Sequence, residues 1–170
     1  RKHMPFKNIE QPESIEIEQG LRLKKFDGDF EKMIEGYRDP VVYQNSEGIF
    51  DEDKIPDEAY IRGMCEYLER AGEFYFIQVF ESGGYISVGD VTVRPENPPI
   101  AIWQAKYRGV GIGSKVMKAV IRRLSALGYR KITGTSIFKW NAASQKMHEN
   151  LGFRRVGETE DEYIYELEWD

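Results

Sequence analysis

A glycine-rich run with the spacing of an anion-binding loop lies in the second half of the chain. Residues 107–114 read Tyr-Arg-Gly-Val-Gly-Ile-Gly-Ser, and an apolar pattern with a helical period follows at once. Three glycines on alternate positions remove Cβ from a turn, so that successive backbone N–H groups can point at one ligand. The helix that follows adds unpaired N–H groups and the positive end of its dipole. The run therefore predicts a cradle for a phosphate or another anion, although the same glycines would also suit a plain strand-to-helix turn.

Two common nucleotide-binding loops do not fit this run. A P-loop requires a Lys-Ser or Lys-Thr pair directly after its glycines, and no such pair is present. A dinucleotide fingerprint requires a third glycine where Ser114 stands, and an acidic residue further on where residues 132–134 are Ile-Thr-Gly. The pattern that remains is [QR]-x-x-G-x-[GA], which Arg108, Gly111 and Gly113 match.

A second segment, one helix and one strand further on, adds an independent motif. Residues 141–153 read Asn-Ala-Ala-Ser-Gln-Lys-Met-His-Glu-Asn-Leu-Gly-Phe, which looks like N-x-x-[AS]-x-x-[LM]-[YFH]-x-x-[LM]-G-F. Together the two motifs resemble the GNAT family of N-acetyltransferases over residues 100–157, whereas residues 21–99 resemble the family only in their order of elements. The resemblance implies an enzyme that uses acetyl-CoA, without a metal, for direct acetyl transfer to a primary amine of a small molecule or peptide.

The resemblance also implies where coenzyme A is bound. The pyrophosphate would lie on the backbone N–H groups of residues 108–113, at the start of a helix over 114–127, and the pantetheine arm would run beside the strand 100–103. Asn141 is expected near the pantetheine, with a plain helix N-cap as the alternative. The expected cofactor-binding residues are Ile102, Trp103, Gln104, Arg108, Gly109, Val110, Gly111, Ile112, Gly113, Ser114, Asn141, Ser144 and His148.

Three residues are candidates for the catalysis that the resemblance implies. A backbone N–H near Trp103 would stabilise the oxyanion formed when the amine attacks. His148 stands where many members have a tyrosine; protonated near neutral pH it would donate to the thiolate of coenzyme A, and otherwise it packs near the pocket. A base is needed because a primary amine is only about one part in a thousand neutral at pH 7. Asp90 is the first candidate, and Glu81 and Glu73 are alternatives.

The remaining sequence predicts alternating strands and helices in a single α/β (α+β) domain. An amphipathic stretch begins at Phe30 and is expected to end before Pro40, and a second helix is expected over 56–71. The fold class implied by the resemblance is a mixed, mostly antiparallel sheet flanked by helices. Residues 1–20 are interpreted as an N-terminal extension with a tag remnant at 1–4 and a short strand, and residues 21–170 as the acetyltransferase domain. The predicted strands are 21–26, 74–80, 85–93, 100–103, 131–137, 153–156 and 163–169.

Composition favours one compact cytoplasmic domain. The chain has 170 residues, of which 41% are hydrophobic, enough for one sizeable core. It has no apolar run of membrane-spanning length and no leader-like start, so we expect no membrane partner. Cys65 is the only cysteine, which excludes an internal disulfide, and two histidines without a cysteine partner do not predict a zinc site. The oligomeric state is expected to be a monomer or a homodimer.

Charge is unevenly distributed along the chain. Residues 1–99 have an excess of Asp and Glu, whereas between residues 100 and 155 Glu149 is the only acidic residue. The basic segment suits a ligand with several phosphates, although solvated helix faces explain single side chains equally well. The overall acidic charge of −5 does not favour nucleic-acid binding. We expect a cationic amine acceptor, drawn to a site walled by the acidic amino-terminal half, in which acids group at residues 51–53 and 57–58.

Two further hypotheses remain open from the sequence. A non-catalytic acyl-CoA-binding sensor or interaction domain would use the same scaffold, because cofactor binding depends on backbone atoms and turnover on residues that no motif identifies. Residues 37–40, Tyr-Arg-Asp-Pro, loosely resemble the branch of the family that acetylates the N-termini of ribosomal proteins. That short likeness does not predict a substrate.

Overall fold

A computed structural model describes residues 3–170 and confirms the predicted α/β class with mostly antiparallel sheets. The strands are β1 (Ser14–Glu18), β2 (Leu21–Lys25), β3 (Glu73–Glu81), β4 (Gly84–Val93), β5 (Ile100–Ile102), β6 (Lys131–Phe138), β7 (Arg154–Glu158) and β8 (Glu162–Glu168). The helices are α1 (Glu31–Gly36), α2 (Pro40–Glu47), α3 (Glu58–Ala71), α4 (Ile112–Ala126) and α5 (Ala142–Asn150), with short 3₁₀ helices at Glu52–Lys54 and Ala105–Tyr107. No helix within residues 3–170 is long and apolar enough to cross a membrane.

Two sheets meet at the segment that joins β4 to β5. The first sheet has the order β1-β2-β3-β4-β5 and the second the order β6-β8-β7. They are joined where the N–H of Asn97 donates to Thr133 O at 2.9 Å and the N–H of Thr133 donates to Pro95 O at 3.0 Å. Beyond this parallel bridge β5 and β6 do not pair, so a gap opens between the two strands.

Alternate residues of β3 define the two faces of the larger sheet, as the twofold period of a strand requires. Tyr75, Ile77 and Val79 belong to a core that α4 covers, whereas Phe74 and Phe76 belong to a second core that α1 and α3 cover. The glycine loop leads into α4 and therefore lies towards the first face. The contributions of α1 and α3 to the second core are Met33, Ile61, Cys65 and Leu68.

The helix α2 was not predicted, because Pro40 was interpreted as a helix terminator. Pro40 is instead the first residue of α2, and the Asp39 carboxylate caps this helix by accepting the Val41 N–H at 2.9 Å. Proline is favoured at this position, since the first N–H groups of a helix have no intrahelical acceptor to lose. The other helix boundaries shift by small amounts, and α4 begins at Ile112 rather than at Ser114.

The strand predicted within the N-terminal extension is present and belongs to the main sheet. β1 pairs antiparallel with β2 and forms an edge of the five-stranded sheet. The buried Gln11 side chain donates to Phe74 O at 3.0 Å. The predicted division at residue 20 therefore separates segments that share one sheet. Residues 1 and 2 of the predicted tag remnant lie outside the described residues.

Candidate active site

The glycine loop presents unpaired backbone amides at the start of α4. Gly109 and Gly111 have φ values of +73° and +92°, in the left-handed region that favours glycine. A Cβ on Gly111 would meet no protein atom within 4 Å, so the dihedral angle and not crowding requires glycine there. Lys115 is the first residue of this turn whose N–H has a backbone acceptor, Gly111 O at 3.2 Å. The open space and the free amides of residues 112–114 fit an anion.

Arg108 makes three hydrogen bonds within the protein through its guanidinium. Its guanidinium donates to the carbonyl oxygens of Ile102 at 3.1 Å and Trp103 at 3.2 Å, and to the carboxylate of Asp39 at 3.1 Å. Its backbone N–H donates to Ala105 O at 3.1 Å. Arg108 thus ties the loop to β5 and to the start of α2, and the amides available to an anion are those that follow it.

The backbone of β5 offers its free groups to the gap. The N–H of Trp103 itself donates to Val88 O at 2.8 Å, in the ladder with β4. Backbone groups alternate in direction along a strand. The amides of Ile100 and Ile102 therefore point away from β4, towards β6.

A cavity of about 300 Å³ occupies the gap between β5 and β6. Asn141, Ser144 and His148 of α5 line it from the face that α4 covers. Glu47 of α2 and Tyr67 of α3 line it from the opposite face. The cavity thus passes through the sheet and is bounded by helices of both faces.

His148 lies on this cavity with only 2% of its surface exposed. Its Nδ1 is 2.8 Å from Ser144 O, and because a carbonyl oxygen only accepts, Nδ1 carries a proton. Burial lowers the pKa of His148, and the bond to Ser144 O only partly opposes this effect. The ring is therefore neutral at pH 7 with Nε2 as an acceptor, which disagrees with the prediction that His148 is protonated near neutral pH.

Asp90 is the centre of a buried hydrogen-bond network. One of its carboxylate oxygens accepts from Tyr37 Oη at 2.8 Å and from Trp103 Nε1 at 2.7 Å, and the residue is 2% exposed. Burial raises the pKa of Asp90 to about 7; the two hydrogen bonds lower it and the charge of Glu47 raises it further. Asp90 joins α1, β4 and β5 beside the cavity.

The two alternative bases are held in ion pairs away from the cavity. Glu73 is completely buried and receives two hydrogen bonds from Arg123, at 2.9 and 2.8 Å. Glu81 pairs with Lys106 at the surface. Neither glutamate lines the cavity. Each has an ion-pair partner elsewhere in the fold, so neither is positioned to act as a base there.

Several cavity residues carry no signal in the sequence. Thr135 is 3% exposed and its hydroxyl has no hydrogen-bond partner within the described part of the chain. Glu47 accepts from the Tyr60 hydroxyl, and burial raises the pKa of Glu47. Arg94 and Glu162 also line the cavity. These residues come from separate elements, and only folding brings them together.

The acidic cluster at 51–53 does not reach the cavity. Its residues are exposed, and Asp51 caps a 3₁₀ helix by accepting the N–H of Asp53 at 2.9 Å. The acids that line the cavity are Glu47, Asp90 and Glu162. Residues 51–53, 57 and 58 therefore do not line the cavity, whereas Glu47 and Asp90 of the acidic amino-terminal half do.

A family model confirms what the two motifs indicated. The model described as the acetyltransferase (GNAT) family matches residues 39–153, which contain the glycine loop, all of α5 and every cavity-lining residue except Tyr37 and Glu162. The chain belongs to the GNAT family. Both motifs, and all of the predicted site residues, fall inside the matched range.

Known proteins agree with this GNAT assignment. The thialysine N-epsilon-acetyltransferase of Sus scrofa is 30% identical over 114 residues, which cover 67% of this chain and 59% of that protein. The match therefore spans about three fifths of the relative. A solved domain from Methanocaldococcus jannaschii superposes with a TM-score of 0.72 at 25% identity, covering 87% of this chain and 97% of that one. The ribosomal alpha-N-protein acetyltransferase RimL, solved with coenzyme A, has a TM-score of 0.70 at 15% identity, covering 93% and 99%.

Within this GNAT fold the predicted site residues form two groups. Asp90, Asn141, Ser144 and His148 line one cavity. The loop residues 108–114 and the strand end at 102–104 lie on the connection that follows the cavity wall β5. Asn141 caps α5, its side chain accepting the Ser144 N–H at 3.2 Å, and it lines the cavity as well, so the two predicted roles are compatible.

Proposed function

We propose that the protein transfers the acetyl group of acetyl-CoA to a primary amine of a small molecule or peptide. The observation that carries this proposal is the cavity through the sheet, which helices of both faces line. A thioester and an amine that enter from opposite faces meet in such a gap without crossing each other. The names of the relatives support the reaction class, since one is an acetyltransferase for the amine of thialysine and another was solved with coenzyme A.

The residues present fit coenzyme A. The free amides of residues 109–114 would hold the pyrophosphate at the start of α4, where the helix dipole favours negative charge. The gap-facing backbone groups of Ile100 would bind the amides of the pantetheine arm as a neighbouring strand does. Asn141 and Ser144 would contact the end of that arm. Acetyl-CoA supplies the activated carbonyl carbon.

Two side chains of the chain are suited to move the proton of the amine. His148 is neutral, and the Ser144 carbonyl fixes its tautomer so that Nε2 accepts. We assign the acceptor role to His148 in place of the acid role expected from the sequence. Asp90, with its pKa raised to about 7, is the second acceptor and also fixes the position of Trp103. We assign the oxyanion role, expected of a backbone N–H near Trp103, to the gap-facing amide of Ile102.

The proposal is tested by measuring free thiol release from acetyl-CoA with a panel of peptides, polyamines, amino acids and aminoglycosides. Acetyl-CoA-dependent release with at least one amine, together with an acetylated product of the expected mass, supports the enzyme. Tight acetyl-CoA binding with no release for any amine would instead support the acyl-CoA-binding sensor. Neither binding nor release would contradict both functions.

A further inference from the structure

Arg94 is a cation without a carboxylate partner at the cavity. It follows β4, and its Nε and one terminal nitrogen donate to Asn97 O at 3.1 and 3.0 Å, while the other terminal nitrogen donates to Tyr67 Oη at 2.9 Å. No Asp or Glu oxygen of residues 3–170 lies within 4.0 Å of its guanidinium. These bonds use three of the five guanidinium N–H donors, so the group is fixed in place with donors to spare.

The same cavity contains carboxylates that also lack a cationic partner. Glu47 accepts only from the Tyr60 hydroxyl among the described residues, and Asp90 accepts from Tyr37 and Trp103. Burial raises the pKa of both acids, which is the sign of carboxylates that protein cations do not compensate. One cavity therefore presents an unpaired guanidinium and unpaired carboxylates that do not neutralise each other.

A ligand that satisfies both kinds of group must carry both charges. We propose that Arg94 binds a carboxylate of the acceptor, so that the acceptor is an amino acid or a peptide segment whose amine lies within a few bonds of a carboxylate. A guanidinium with fixed geometry and free donors recognises a carboxylate by charge-assisted hydrogen bonds. The acidic side of the cavity holds the ammonium form of the amine before it loses its proton. This inference rests on the proposed function and names its acceptor class.

Matched acceptors test the carboxylate directly. Glycine, 4-aminobutanoate and lysine are each compared with the corresponding amide, which keeps the amine and its spacing and removes the negative charge. Because the amide also lowers the pKa of a nearby amine, each kcat/KM is expressed per concentration of neutral amine. One of the three acids should have the spacing between amine and carboxylate that the cavity requires. For that acid we expect a kcat/KM about tenfold or more above that of its amide, mainly through a lower KM. Equal kcat/KM in every pair, or a preference for the amides, would overturn the inference.

Arg94→Gln then connects the preference to the side chain. The variant is expected to raise KM for the acid until acid and amide are equivalent, while the kinetics of the amide change little. Arg94→Lys keeps the charge but loses the planar fork and should retain part of the preference. Arg62→Gln is the matched control, since Arg62 lies on α3, is 55% exposed and pairs with Glu58 outside the cavity. If Arg94→Gln lowers the kinetics of acid and amide equally, Arg94 has only a structural role.

Calorimetry separates this inference from the proposed function. The same acid and amide pairs are titrated into the wild-type protein and Arg94→Gln in the presence of coenzyme A. The carboxylate site is supported, even if no thiol is released, when the wild-type protein binds an acid but not its amide and Arg94→Gln binds neither. If amines are acetylated but acids and amides do not differ in kinetics or in binding, the proposed acetyltransferase function stands and the carboxylate site at Arg94 is rejected.

Discussion

The two halves of the candidate site are built by different means. The proposed pyrophosphate cradle of the cofactor half consists of consecutive residues, 109–114, and would work through backbone amides at the start of one helix. The acceptor half consists of side chains such as Glu47, Tyr67 and Arg94, which come from two helices and a connecting segment. The comparison shows that a backbone cradle can be identified in a short stretch of sequence, whereas a side-chain pocket exists only once distant elements have packed.

The halves also differ in their cost to the fold. Glycine at a left-handed position is a local requirement that affects little else. A buried acid loses hydration, and its raised pKa records that loss, as for Asp90. Substitutions should therefore separate ligand affinity in the first half from turnover, stability and acceptor preference in the second.

The largest effect is expected at His148, where the two halves meet. His148→Phe keeps an aromatic ring beside Phe153 but removes Nε2, and kcat should fall by about 10²- to 10⁴-fold with acetyl-CoA affinity nearly unchanged. Because burial lowers the pKa of His148 from 6.5, wild-type kcat/KM should rise with pH below that value and level off above it. The variant should lose this limb. A folded variant with wild-type turnover from pH 5 to 9 would exclude His148 from proton transfer.

The next effect concerns the cofactor half alone. Gly111→Glu forces a side chain into φ +92° and places a negative charge beside the pyrophosphate, so acetyl-CoA affinity should fall by about a hundredfold, equivalent to about 2.7 kcal/mol. Gly128→Glu is the matched control, because Gly128 has φ +97° and equally open surroundings at the far end of α4. Calorimetry with both variants separates backbone strain from lost binding. Equal affinities for the two variants would contradict the cradle.

Asp90 provides a test of stability and not of affinity. Its pKa rises from 3.8 to about 7 on folding, so the folded state holds this proton more tightly than the unfolded chain. The contribution of Asp90 to stability is complete below about pH 4 and is lost as the pH rises to about 7, with a slope of up to about 1.4 kcal/mol per pH unit.

Asp90→Asn keeps an oxygen for Tyr37 and Trp103 and should remove that slope. Urea unfolding of wild type and variant at pH 5, 6, 7 and 8 gives the difference. The wild type should lose stability relative to the variant between pH 5 and 7 and run parallel to it above 7. Parallel curves throughout would mean that Asp90 is ionised at pH 5 in the folded protein.

The smallest effects distinguish the acids of the cavity from those of the surface. Glu47→Gln should raise KM for a cationic amine by about three- to tenfold, the range of one partly screened charge contact. Reversal of Asp51, Glu52 and Asp53 to lysine should change the same KM by less than about twofold at physiological salt, since exposed charges are screened. A larger effect of the triple reversal would restore the acidic cluster as part of the acceptor site.

The sequence predicts the fold and the cofactor half of the site better than the acceptor half. The motif around Gly111 and the motif around Asn141 identify the family from sequence alone, because both depend on local backbone geometry. The sequence predicts Pro40 as the end of a helix, whereas the structure has it as the first residue of α2. Proline is favoured both after a helix and at the first position of one, so its presence does not distinguish the two. The sequence motif does not show that His148 is buried, and burial is what lowers its pKa in the structure.

Arg94 and Thr135 had no signal at all. Arg94 follows an ordinary strand, and only the structure shows that it lines a cavity and has no acidic partner among residues 3–170. The unpaired hydroxyl of Thr135 is a property of its surroundings and not of its neighbours in the chain. Residues of this kind can be found only after long-range packing is known.

The unpaired backbone of β5 has a consequence for hydrogen exchange. The amides of Ile100 and Ile102 lie within the body of the domain, yet they point into a gap where no strand accepts from them. They should therefore exchange with deuterated solvent on the time scale of local opening. The Trp103 amide, which is bonded to Val88 O, should exchange only through larger unfolding events. Occupation of the gap would reverse this pattern, so the exchange rates of the Ile100, Ile102 and Trp103 amides become a site-resolved measure of whether the arm of a ligand lies along β5.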